Sequence, residues 1–240
     1  MRLWIPVLFS ACAAALAGSA HAQTVTNVPD NAGQRFQGNG IAVEIRAAHG
    51  HFQGLQVTDE LARRSLDLPQ AFVLVMKGGT VLRSSAMRMG PLAISELPPG
   101  SAATPASGKR ACADFSDPRF PGQLRWCLLV RERTGYFRQE LALHASSDAP
   151  IAEVRMLDFS DPGAQVDGTV RGSPIVDAGM FFGFEHPLST AHVDGGHVVA
   201  ALARVLPLRA GQSTTYSSVV GVAAPGQMRR AFLHYIENER

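Results

Sequence analysis

Residues 172–189 read GSPIVDAGMFFGFEHPLS, and this stretch gives the strongest local indication of the fold. Three phenylalanines lie within four residues, and the alternation of side chains along a strand would place Phe182 and Phe184 on one face. Such a cluster is more often part of a core than a sugar-stacking platform. The proline that follows restricts the residue before it to extended geometry. We therefore expect a core strand that ends in a sharp turn at Glu185-His186-Pro187.

The same strand pattern recurs on both sides of this stretch. Residues 71–82 (AFVLVMKGGTVL) are typical of a hairpin with a glycine turn. Period-two alternation or a short apolar run also indicates strands at residues 41–46, 109–115, 123–131, 136–143, 151–159, 198–206 and 213–223. Turn residues separate these segments at short intervals, which is the pattern of an all-β sandwich or barrel. We predict one all-β domain over residues 38–224.

The C-terminus departs from this pattern. After Pro225-Gly226, the apolar side chains recur at helical spacing and form one stripe along a helix. The stripe consists of Met228, Ala231, Phe232, Tyr235 and Ile236. We predict a short helix within residues 225–240 that either folds back on the sandwich or leads into a partner domain.

The N-terminus has the features of a secretory signal peptide over residues 1–22. Arg2 precedes an apolar run, and Ala20-His21-Ala22 supplies small residues at a cleavage site. The polar residues 23–37 predict a flexible leader. We expect an exported protein, in the periplasm or outside the cell.

The charge balance excludes several classes of partner. The formal net charge is +2, so nothing indicates the strongly basic face that nucleic acids or anionic membranes require. After residue 22, no apolar stretch approaches the roughly 20 residues of a membrane-spanning helix. We expect neither nucleic acid nor membrane as a partner, and no motif indicates a cofactor.

Two cysteines remain after the predicted cleavage site. Cys112 and Cys127 lie in two predicted strands whose connecting residues 116–122 (SDPRFPG) favour a turn. A hairpin would place the two cysteines opposite each other, and an oxidising compartment allows them to pair. We predict a Cys112–Cys127 disulfide; the alternative is two buried free thiols.

Two long segments together resemble a known family. Gly172–Ser189 and Val219–Arg240 (VVGVAAPGQMRRAFLHYIENER) resemble the N-terminal region of large secreted bacterial glycoside-hydrolase-like proteins. These are of the α-galactosidase and α-N-acetylgalactosaminidase type, and some carry the name enterotoxin. Ala71–Met87 and Thr134–Leu143 match more weakly, and the four segments occur in the same order as in the family.

The resemblance implies a β-supersandwich, the fold that galactose mutarotases also use. In the relatives this domain precedes a (β/α)-barrel catalytic domain, and the helix at residues 229–240 resembles the connector that enters the barrel. Retaining glycosidases use two carboxyl groups about 5 Å apart, and in the relatives both are expected on the barrel. We therefore assign no catalytic residue to this chain and expect it to lack the barrel.

The best candidate for a site is the pair Glu185 and His186. A carboxylate beside an imidazole can perform acid–base chemistry on a sugar hydroxyl, and the resemblance places this turn at the end that faces the barrel. Adjacent strand residues point to opposite faces, however, so a structural role for the turn is the alternative. His192, Asp194 and His197 match no familiar ligand spacing, so we predict no metal site.

These observations predict a non-catalytic domain of a glycoside-hydrolase-like protein. It would brace a barrel domain or a separate barrel chain and line a sugar site. The alternative is a free-standing carbohydrate-binding or mutarotase-like module, for which His186 and a carboxylate would supply the acid and the base.

Overall fold

The computed structural model describes residues 24–25, 33–99 and 106–239, which form two antiparallel sheets and one α-helix. The predicted signal peptide lies outside the described residues. The strands are β1 (Thr24–Val25), β2 (Gln34–Gln37), β3 (Ile41–Ala48), β4 (His51–Asp59), β5 (Arg64–Leu68), β6 (Val73–Met76), β7 (Val81–Arg83), β8 (Arg88–Met89), β9 (Ala93–Leu97), β10 (Gly108–Ser116), β11 (Gly122–Arg131), β12 (Tyr136–Ala145), β13 (Ile151–Ser160), β14 (Gln165–Val166), β15 (Ile175–Asp177), β16 (Met180–Phe184), β17 (Thr190–Asp194), β18 (His197–Ala203) and β19 (Ser213–Val222). Helix α1 spans Met228–Asn238, and one 3-10 turn spans Ser84–Ala86. The all-β prediction with a short C-terminal helix is confirmed.

The two sheets differ in size. The large sheet has 14 strands in the order β14-β15-β16-β19-β12-β11-β10-β8-β4-β3-β2, with β5 beside β4, β9 beside β10 and β1 beside β9. The small sheet has the order β17-β18-β13-β6-β7. All strand pairs are antiparallel, so each strand can face the core on one side and polar surroundings on the other.

The core lies between the sheets, as the alternation of the sequence predicts. Phe182 and Phe184 both belong to the main core, and Phe182 packs against Phe159 of the small sheet with ring centroids 5.0 Å apart. Phe181, which precedes Phe182 in the sequence, points to the outer face of the large sheet. Trp126 is fully buried in the main core and donates a hydrogen bond to Gln139, so it does not form a sugar platform.

Helix α1 packs on the outer face of the large sheet. Its apolar stripe covers a second apolar cluster formed by Tyr136, Phe181 and Val219. Phe232 contacts Phe181 with ring centroids 5.5 Å apart. Leu233 falls outside the stripe and is exposed. Helix α1 therefore folds back on the sandwich, and the predicted connection to a partner domain stays a prediction.

The predicted flexible leader over residues 23–37 differs from the structure at its end. Gln34–Gln37 form β2, which pairs with β3 at the edge of the large sheet. Phe36 is buried in the main core, whereas its neighbours on β2 remain partly or fully exposed. An edge strand buries few side chains, so one phenylalanine among polar residues is enough to dock it.

Candidate functional site on the outer face of the large sheet

The outward side chains of four adjacent strands form rows across the large sheet. The strand register places Leu129 of β11 beside Arg138 of β12 and Arg138 beside Val219 of β19. One row further along the strands, Glu140 stands between Cys127 and Ser217. This outer face carries the side chain of Glu185, the predicted acid–base residue, which contacts Arg138 and Tyr235.

Arg138 is the centre of a charged cluster that we call the Arg138 cluster, comprising Tyr136, Arg138, Glu185, Tyr235 and Glu239. Arg138 donates from Nε to Glu185 Oε1 over 2.8 Å and from Nη2 to Glu185 Oε2 over 2.6 Å, which is a two-pronged pairing. Its Nη1 donates to Glu239 Oε2 over 3.0 Å. The hydroxyl of Tyr136 donates to Glu239 over 2.8 Å, and that of Tyr235 donates to Glu185. The cluster therefore joins strand β12, the end of β16 and helix α1.

The electrostatics of the Arg138 cluster keep Glu185 ionised. Burial works to raise the pKa of the Glu185 carboxyl, but the charge of Arg138 and the hydrogen bonds from Arg138, Ser217 and Tyr235 together lower this pKa below its ordinary value. Burial, together with Glu185 and Glu239, raises the pKa values of the Tyr235 and Tyr136 phenols above the ordinary 10.0. An ionised Glu185 that accepts hydrogen bonds from Arg138 and Tyr235 is suited to holding the helix, and poorly suited to donating a proton to a leaving group.

Glu185 and His186 have different surroundings. The Glu185 side chain is 11% exposed and lies against the helix. The His186 ring lies in the turn, where its Nδ1 accepts a hydrogen bond from the backbone N–H of Leu188 over 3.2 Å. The backbone turns here because Ser189 N donates to the carbonyl of His186. The structure thus directs the two side chains to separate partners, and their role in lining a sugar site remains a prediction.

Cys112 and Cys127 face each other directly in the β10–β11 hairpin. The register pairs the two residues, and a disulfide joins them on the outer face of the sheet. Leu97 and Leu129 pack around the bridge, which is almost fully buried. The bridge lies beside Glu140, in the row next to Arg138.

The histidines considered for a metal site lie on the small sheet. His197 Nε2 is 2.9 Å from an oxygen of Asp158, which also accepts from Arg155. Asp194 pairs with His197 as a strand neighbour, and His192 faces Val199. Within the described residues, no group of three metal-ligating side chains of the His, Cys, Asp and Glu types converges.

The sequence patterns did not indicate Tyr136, Arg138 or Glu239 as candidate site residues. Alternation along residues 136–143 places Arg138 on the face opposite Phe137. Because Phe137 faces the core, this pattern predicts that the Arg138 side chain points outward. Its partners lie 47 and 101 residues away. Only the pairing of β16 with β19 and the docking of the helix bring them together.

Comparison with known proteins gives a likeness in fold. No family model and no curated protein matches the sequence. Among solved structures, a variant of the GH36 α-galactosidase AgaA from Geobacillus stearothermophilus in complex with stachyose is similar at a TM-score of 0.51 and 11% identity. The match covers 80% of this chain and 40% of that chain.

Two further solved structures match at lower similarity. AgaB from the same organism has a TM-score of 0.48 and 12% identity over 83% of this chain and 40% of its own. The galactosidase domain of the α-galactosidase–sucrose kinase AgaSK has a TM-score of 0.49 and 10% identity over 79% of this chain and 40% of its own.

Among the described residues, no helix is long and apolar enough to cross a membrane.

The chain spans about 40% of the length of the solved proteins that it matches. The similarity at a TM-score of 0.51 concerns the fold of that part. The described residues have the β-sandwich fold found in the N-terminal region of a GH36 α-galactosidase.

Proposed function

We propose that this chain is a non-catalytic N-terminal domain of an exported glycoside-hydrolase-like protein, and that it supports a (β/α)-barrel which carries the catalytic groups. The observation that carries the proposal is the Arg138 cluster. Glu185, the side chain best placed by sequence for acid–base work, is committed to Arg138 and Tyr235 and holds helix α1 on the sheet.

The chemistry of retaining glycosidases also supports a non-catalytic role for this chain. Such an enzyme needs one ionised carboxylate as nucleophile and one protonated carboxyl as acid, about 5 Å apart. Glu185 and Glu239 are the two carboxylates of the Arg138 cluster, and both pair with the same guanidinium. The lowered pKa of Glu185 disfavours it as the acid, and its hydrogen bonds to Arg138 and Tyr235 support a structural role rather than that of a nucleophile.

A fixed helix suits a supporting domain. Helix α1 is held by apolar contacts with Phe181 and Val219 and by two carboxylates that share Arg138. A domain attached to or resting on such a helix would take a defined orientation relative to the sandwich. We propose that helix α1 and the turn at Glu185-His186-Pro187 together form the surface that meets the barrel, with His186 on the side of the sugar site.

Recovery of the chain from its native host tests this role. The chain, tagged at a position outside helix α1, would be purified from the exported fraction, and the proteins that accompany it would be sequenced. We expect one chain that contains a (β/α)-barrel, either continuous with this sequence or encoded beside it. Recovery of the chain without any barrel protein would contradict the supporting role.

We also propose that residues 1–22 direct export and that the disulfide forms in the periplasm or outside the cell. The direct pairing of Cys112 with Cys127 supports this proposal, because disulfides persist in oxidising compartments. The test is N-terminal sequencing combined with a thiol count on the exported protein. A start at Gln23 and no free thiol are expected, whereas Met1 at the N-terminus or two free thiols would contradict export with pairing.

A further inference from the structure

The outer face of the large sheet carries a second feature, an open depression of about 540 Å³ across strands β10, β11, β12 and β19. It lies beyond the disulfide, at the opposite end of these strands from helix α1. Two rows of outward side chains line it, and we call it the sheet groove. The first row is Asp114, Arg125, Ala142 and Thr215, and the second contains Gln123, His144 and Ser213.

The shape of the sheet groove follows from the register. Four strands spaced at the usual 4.7–4.9 Å give a floor about 14 Å wide, and the two rows lie roughly 7 Å apart along the strands. Ala142 is the smallest side chain of its row and stands between Arg125 and Thr215, so the floor is lowest there. A depression of these dimensions suits an extended ligand a few rings long.

The chemistry of the groove selects the class of ligand. Gln123 and the hydroxyls of Ser213 and Thr215 can both donate and accept hydrogen bonds, as sugar hydroxyls do. His144 is oriented by its own contact, because its Nδ1 lies 2.9 Å from the Ser213 hydroxyl. Arg125 pairs with Asp114 over 3.4 Å, so the lining has little excess charge for an anion.

An apolar ligand fits the groove poorly. The large apolar residues among its lining, Phe115, Leu124 and Leu143, are buried and turn into the core between the sheets. Apart from Ala142, the outward side chains of the two rows are polar and closely spaced, and they leave no deep hydrophobic pocket for a peptide side chain. We propose that the sheet groove binds a neutral oligosaccharide, with Gln123, His144 and Thr215 on its hydroxyls and Ala142 beneath it. This inference goes beyond the supporting role and does not depend on it.

The test is a binding titration of the full exported chain with neutral and charged tetrasaccharides. Calorimetry with stachyose, maltotetraose and xylotetraose probes the proposed class, and a sulfated tetrasaccharide probes anion binding. We expect at least one neutral sugar to bind with a dissociation constant on the order of millimolar or tighter. Failure of all three neutral sugars to bind, or binding of the sulfated sugar alone, would overturn the proposal.

Two variants locate the binding site. Ala142→Trp fills the floor of the groove, and Ala203→Trp makes the same change on an exposed position of the small sheet. We expect A142W to weaken binding at least about tenfold, and A203W to change it less than about twofold. The double variant Gln123→Ala/His144→Ala alters exposed side chains only, so it tests the groove even if the tryptophan disturbs folding. Unchanged binding in A142W or in the double variant would place any sugar site elsewhere.

Discussion

Arg138 shows what a single residue contributes to this molecule. Its two-pronged contact with Glu185, the candidate acid–base residue, and its contact with Glu239 make both carboxylates parts of a structural cluster. The strand alternation predicts that Arg138 points away from the core, opposite Phe137. Its partners could not be predicted, because they reach it through strand pairing and helix docking over 47 and 101 residues.

The substitution Arg138→Met tests how much the Arg138 cluster contributes to stability. In Arg138→Met, Glu185 loses its counter-charge while it remains mostly buried, and removing one partner of a buried ion pair is costly. We expect the free energy of unfolding, measured in urea, to fall by about 2–4 kcal/mol, since Arg138 itself is 22% exposed. The matched control is Arg125→Met on the same face, where the pair with Asp114 is exposed and a loss below about 1 kcal/mol is expected. Equal losses in the two variants would contradict the special role of Arg138.

The pKa of Glu185 predicts a pH dependence of stability. Because the folded state lowers this pKa, ionised Glu185 contributes stability above its ordinary pKa, and this contribution disappears as the pH falls through the folded value. The difference in unfolding free energy between the wild type and Glu185→Gln should therefore shrink as the pH falls below the ordinary carboxyl pKa of 4.5. Urea titrations at several pH values measure it. A difference that stays constant or grows toward low pH would show that Glu185 is not held ionised by the fold.

The two tyrosines of the cluster give a spectroscopic signature. Burial and the neighbouring carboxylates raise the pKa values of Tyr136 and Tyr235 above 10.0, so both phenols should stay protonated in the folded protein well beyond that pH. In the unfolded chain these two phenols ionise near pH 10, whereas in the folded protein they stay protonated, so stability declines above that pH. Ultraviolet titration of the wild type, Tyr136→Phe and Tyr235→Phe should give nearly equal tyrosinate signals at about pH 11, before unfolding begins. A clear loss of signal in either variant would contradict the prediction.

At the scale of elements, the strands were the most predictable part of the molecule. Phe137, Leu141 and Leu143 lie on one face of β12 and all three are buried in the core, because a strand between a core and an outer face has period two. Edge elements were less predictable. The polar β2 buries only Phe36, so its sequence resembles a leader although it pairs with β3.

Helix α1 can be tested through its apolar stripe. Phe232 packs on Phe181 and Tyr235, whereas its neighbour Leu233 is 46% exposed. We expect Phe232→Ala to lower the unfolding free energy by about 2 kcal/mol, because the ring is only partly buried, and Leu233→Ala to change it by less than about 0.5 kcal/mol. Hydrogen exchange along residues 228–238 should rise in the first variant. Similar effects of the two substitutions would mean that the helix does not rest on this face.

The β10–β11 hairpin is tied by the disulfide between Cys112 and Cys127, which are 15 residues apart. Closing a loop of this length stabilises the folded state by about 3 kcal/mol through the entropy of the unfolded chain. The double variant Cys112→Ala/Cys127→Ala should lose an amount of this order in urea unfolding, and a reducing agent should destabilise the wild type but not the variant. Equal sensitivity of both proteins to reduction would contradict the pairing.

In the whole molecule, the carboxylates of Glu185 and Glu239 pair with Arg138 and help to hold the helix on the sandwich. The sequence predicted the all-β class and the C-terminal helix, because both depend on local periodicity. The sheet order and the sheet groove could not be predicted, since they depend on which strands pair and in which register. The likeness to part of a GH36 α-galactosidase concerns the fold, so the chemistry has to be judged from the residues of this chain.

We propose that this chain supports a catalytic domain and does not hydrolyse glycosides itself. The most direct measurement is the release of the aryl group from an aryl α-galactoside and an aryl α-N-acetylgalactosaminide by the purified chain. We expect a rate equal to that of buffer for the wild type and for Glu185→Gln. Turnover by the wild type would overturn the non-catalytic role, and its disappearance in Glu185→Gln would make Glu185 a catalytic residue.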